Sequence, residues 1–71
     1  MALINIEIEE LEPGQKVSVC YAVEMAGYLD AGIVEGTFRG FTRSGKVKLT
    51  DDDGFEAVFL PRDIQTVSVY G

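Results

Sequence analysis

The chain has no histidine and no tryptophan, one cysteine and two prolines among 71 residues. Without histidine it lacks the commonest transition-metal ligand and the usual general base near neutral pH. A single cysteine, Cys20, excludes an internal disulfide framework, and with no imidazole to activate it Cys20 reads as a packed or partly exposed thiol, not a nucleophile. No apolar run approaches the roughly 20 residues that a membrane-spanning helix needs, and no basic-then-apolar leader opens the sequence. The expectation is a cytoplasmic protein with no membrane contact, no metal and no other cofactor, held together by packing alone.

What is present fits one small domain, residues 1–71, because a chain of this length cannot supply two cores. Apolar residues make up 46% and charged residues 25%, which places the chain among globular proteins. The net charge of −6 conceals an asymmetry. Residues 1–35 hold seven acids and one base, residues 36–50 four bases and no acid, and residues 51–71 five acids and one base. Such an acidic body argues against non-specific DNA binding, while a local cationic strip can still attract an acidic partner within about 8–10 Å.

Hydropathy alternates at the start, with Ile4, Ile6 and Ile8 on one face and Asn5, Glu7 and Glu9 on the other, the period of a half-buried strand beginning near Ala2. Pro13-Gly14 predicts a type II turn. Val17, Val19 and Tyr21 alternate with Ser18 and Cys20 and predict a second strand. The stretch 24–32, with its two glycines, reads as a long, partly apolar loop or one helical turn. Its Met25, Tyr28 and Leu29 either cap an open barrel end or form a binding surface.

Ile33 to Thr50 is the organising segment: two strands joined by a turn at Thr42–Gly45. That turn sets Phe41 opposite Lys46, Arg39 opposite Lys48, Phe38 opposite Leu49 and Thr37 opposite Thr50. The bases then share one face, and Gly36 and Gly40 flank an inward Phe38 and allow the strand to bend. Asp51–Gly54 reads as a solvated turn, since it lacks the alternating ligands and closing glutamate of a calcium loop. A five-residue loop from Thr50 to Gly54 points Phe55, Ala57 and Phe59 inward and sets Glu56 outward, opposite Lys48. Pro61–Ile64 predicts a short 3₁₀ turn, and Gln65–Tyr70 a final strand with Val67 and Val69 inward. The fold class that follows is all-β: a small, strongly bent antiparallel barrel of five or six strands, SH3-like or Sm-like, with its 3₁₀ turn near 61–64.

The residues GTFRGFTRSGKVKL, Gly36 to Leu49, resemble the first signature of the Sm and Sm-like proteins, roughly G-T-L-R-G-F-D-x-x-M-N-L-V-L, and a weak echo follows at Leu60–Ile64. The resemblance implies a five-stranded barrel that assembles into rings and holds a uracil base through a loop Asp and Asn and a later Arg-Gly pair. Thr42 stands at the position of that Asp, Lys46 at that of the Asn, and Arg62 at that of the arginine, with Asp63 replacing the glycine. Threonine and lysine cannot reproduce an amide that both donates and accepts at a base edge.

Three functional classes remain. The first is a non-catalytic interaction or assembly module, whose basic hairpin meets a protein partner or a second copy near Glu7, Glu9, Glu10 or Glu12. The second is RNA binding through the basic 39–48 hairpin, with Arg39, Phe41, Arg43, Lys46, Lys48 and Arg62 as contacts, since cations around an aromatic ring suit single strands. The third, a small enzyme using Cys20 or Asp51–Asp53, finds no convergent acid, base or nucleophile in the sequence.

Overall fold

The computed structural model describes residues 3–70; Met1, Ala2 and Gly71, which fall within the expected first strand and domain bounds, lie outside the described residues. The fold is all-β. Six strands, β1 (Leu3–Ile6), β2 (Lys16–Met25), β3 (Tyr28–Phe41), β4 (Val47–Asp51), β5 (Glu56–Phe59) and β6 (Ile64–Tyr70), form one antiparallel sheet in the order β1-β6-β2-β3-β4-β5. Two 3₁₀ turns, Ile8–Glu10 and Pro61–Asp63, connect them. The sheet is strongly bent but not closed, so β1 and β5 remain its edges.

Alternation builds the core. Val17 and Val19 of β2, Phe38 of β3, Val47 and Leu49 of β4 and Val67 of β6 are buried together with Leu11, and Ile6, Ile8, Val34, Phe59, Ile64 and Val69 pack around them. The bend sits at Gly36, where β3 changes partners: Gly36 lies opposite Val17 of β2 on one side and Asp51 of β4 on the other. A side chain there would run into the Thr50 carbonyl oxygen and come within 3.0 Å of the Asp51 Cα, so only glycine allows this approach. The Pro13-Gly14 turn has the expected form, with Gly14 at φ +97°, and it clamps Phe38: Gly14 N–H donates to the Phe38 carbonyl at 2.8 Å, and Phe38 N–H donates to that of Gln15 at 2.9 Å.

Four expectations are corrected. The segment 24–32 is not a loop. β2 continues to Met25, Ala26-Gly27 forms a two-residue turn with Gly27 at φ +87°, and β3 begins at Tyr28. This hairpin tip is exposed on both faces, so no face-dependent alternation marks it as strand. The first strand stops at Ile6 and Ile8 begins a 3₁₀ turn, which still brings Ile6 and Ile8 to the core but leaves Ile4 exposed.

In the central hairpin, Thr37 faces Thr50 and Phe38 faces Leu49 as expected, but a bulge at Arg39 then shifts the ladder, so that Gly40 faces Lys48 and Phe41 faces Val47. Gly40, at φ +123°, supplies the backbone conformation that makes this irregularity cheap. In the next hairpin Glu56 faces Thr50, not Lys48, and Phe55 lies in the loop, 69% exposed, not in the core. The register moved by two residues, which preserves the side each residue faces: Ala57 and Phe59 still point inward and Glu56 outward.

Candidate functional site

The two tight hairpin loops follow one rule. In each, a polar residue opens the loop and a glycine with positive φ, Gly45 at +83° or Gly54 at +91°, closes a turn back onto it. The Thr42 hydroxyl accepts from Lys46 N–H at 3.1 Å; the Asp51 carboxylate accepts from Asp53 N–H at 3.0 Å and Phe55 N–H at 2.9 Å. These are local side-chain caps of a turn. Asp51 is thus committed to its own loop, and no group of three or more Cys, Asp or Glu side chains among the described residues is arranged to hold a metal ion.

The six candidate contact residues divide. Val47 lies opposite Phe59, so the loop before β4 and the 3₁₀ turn after β5 sit at the same end of the sheet. That end carries Phe41, Arg43, Lys46 and Arg62. Phe41 is on the side of Val47, its ring edge-on to Phe38 at 5.4 Å and half exposed, so it forms the rim of the core and not part of an outer cationic face. Arg39 and Lys48 lie on the outer face, where each has a partner. Arg39 Nε donates to the Thr50 hydroxyl at 3.1 Å, and Lys48 Nζ lies 3.2 Å from a Glu56 carboxylate oxygen, diagonally across the strands.

Two further ion pairs lie elsewhere on the surface. Lys16 pairs with Asp52, and Arg62 Nε lies 3.8 Å from Asp63. All three ion pairs have at least one solvent-exposed partner and contribute about 0–1 kcal/mol each. Tyr70, on β6, donates its phenol proton to Glu35 of β3; this hydrogen bond first, with desolvation and the charges of Glu35 and Asp52 behind it, raises the phenol pKa above its ordinary value of 10.0.

A second surface is the outer part of the β2–β3 hairpin, where the sequence suggested a loop or helical turn whose Met25, Tyr28 and Leu29 cap the barrel or form a binding surface. Among the described residues, β2 has no strand on its far side beyond Tyr21, and β3 has none from Tyr28 to Glu35. Tyr28, Leu29 and Ile33 are 62%, 63% and 66% exposed, and Met25 is also exposed. Tyr21 anchors the base of this arm: its ring stacks on Phe59 at 4.9 Å and its hydroxyl reaches over Gly32, where a side chain would crowd it at 3.0 Å. The signal that could have found the arm was the β-branched and aromatic content on either side of Ala26-Gly27, a two-residue turn sequence between extended runs.

Compared with protein-family models, with curated proteins and with solved structures, the chain gives no match.

Proposed function

We infer that the chain is a non-catalytic protein-interaction or assembly module. The observation that carries this reading is the open sheet: its unpaired strand edges display Leu3, Ile4, Tyr28, Leu29, Ile33 and Val58 to solvent. Large apolar side chains on exposed edges are what partner surfaces cover. The cationic end at Arg43 and Lys46 and the exposed acids Glu7, Glu9, Glu10 and Glu12 supply complementary charge for a contact between copies or with another protein.

Light scattering on the full chain at low and high salt tests the assembly form. The expected result is a mass above that of the monomer at low salt, falling as salt rises, and a monomer for the double variant Arg43→Glu, Lys46→Glu. A monomer at every salt concentration removes assembly through these charges.

RNA binding is the second reading, and one observation favours it: Phe41, Arg43, Lys46 and Arg62 share one end of the sheet. The resemblance of Gly36–Leu49 to the Sm signature supports it as well. Against it, Lys48 and Arg39 are turned away and partnered, and the replaced base-reading pair remains. Titration with a labelled uridine-rich strand decides the matter, since genuine contacts lose affinity with salt at about −0.7 per phosphate on a log–log plot.

A further inference from the structure

The longest unpaired strand edge among the described residues is that of β3 from Tyr28 to Glu35. At about 3.3 Å per residue these eight positions span about 26 Å, and alternate residues there turn backbone N–H and C=O groups away from β2. Natural edges are usually blunted by lysine, proline or a bulge. This one has no lysine, no proline and an unbroken register with β2, and its only charges, Asp30 and Glu35, are acidic.

The side chains beside this edge have a definite chemistry. On the outward face Leu29, Ala31 and Ile33 line up with Ala22 and Cys20 directly across on β2, giving an apolar stripe with Glu24 at one end and Glu35 at the other. On the opposite face Asp30 stands between Tyr28 and Gly32. From residue 22 to residue 35 the chain carries three acids and no base.

We propose that the free edge of β3 takes up an extended, basic segment of a partner protein by strand addition. Backbone hydrogen bonds supply the attachment. Apolar side chains of the segment cover the stripe from Leu29 to Ile33, and its lysines or arginines meet Asp30, Glu24 and Glu35. A second copy is a poorer occupant, because its own edge carries the same acids and no base, and the contact would lie between two bodies of net charge −6. Nor does the cationic part of a second copy offer a free strand of this length, since 47–50 is paired on both sides and 36–41 is paired with β4. This site rests on the interaction reading above but uses a different surface from the cationic end, so either can fail alone.

The test uses the isotope-labelled full chain and a synthetic peptide of about eight residues with valine at two central alternate positions, to cover the stripe, and lysine at the others, so that lysines reach both faces. Amide shifts and slowed hydrogen exchange are expected at residues 28–35, with affinity about tenfold weaker when glutamate replaces lysine and binding lost when the peptide backbone is fully N-methylated. Ile33→Lys and Leu29→Lys change exposed side chains, so the urea midpoint should stay near that of the parent while peptide affinity falls about tenfold or more. No binding, equal binding of the glutamate peptide, or protection confined to residues outside 28–35 overturns the proposal. Protection of 28–35 in a dimer of the chain alone assigns the edge to a second copy and overturns it too. If the peptide fails while light scattering shows a salt-sensitive assembly, the strand site is wrong and the interaction reading stands.

Discussion

Two residues show how much a single position can decide. Gly36 lets β3 pass from β2 to β4 by bringing its backbone against Thr50 and Asp51, both main-chain neighbours that cannot rotate aside. Gly36→Ala is therefore expected to cost about 1–3 kcal/mol or more, read as a lowered urea midpoint. Gly27, with open space around its Cα, is the matched control: Gly27→Ala meets only the strain of a positive φ, about 1 kcal/mol. Tyr70 offers a pH test. Its pKa is raised in the folded chain, so the neutral phenol's hydrogen bond to Glu35 contributes fully below the unfolded value near 10 and is lost as pH rises through the raised folded value. Urea midpoints should fall with alkaline pH more steeply in the parent than in Tyr70→Phe. Equal slopes would show that the contact has no thermodynamic weight.

At the scale of elements, β3 is two strands in one. Its second part, Gly36–Phe41, is held by β4 and by the clamp of the Pro13-Gly14 turn on Phe38; its first part is paired on one side only. Local opening is easiest where few buried contacts and many solvent-facing backbone bonds coincide. Hydrogen exchange should therefore release amides of the Ala22–Ala31 arm well before those of Val17–Cys20, Phe38 and Val47–Leu49. Uniform protection along β2 would contradict this division. The loops carry a related lesson. Both were legible as turns from Thr42, Asp51 and the glycines that follow, but their exact register was not, because a bulge at Arg39 and a five-residue span at Asp51–Phe55 depend on how the flanking strands pack.

For the whole molecule, the governing fact is that six strands bend without closing. The buried cluster is small, seven residues with their partly buried neighbours, and the uncovered edges carry apolar side chains. A net charge of −6 makes the choice of partner a matter of charge as well as shape. The candidate contacts followed the same logic. Arg43, Lys46 and Arg62 are where the loop and turn chemistry placed them, whereas Phe41 joined the core side once the bulge moved it from Lys46 to Val47. By itself the sequence determined the all-β class, the inward set at Val17, Val19, Phe38, Leu49 and Val67, and the outward placement of the charges, because period-two alternation and turn residues act locally. Only the tertiary structure decided the bulge at Arg39, the register of the hairpins and the open edge of β3, because each depends on which neighbour a backbone finds, and pairing across the sheet is not written in any short stretch of chain.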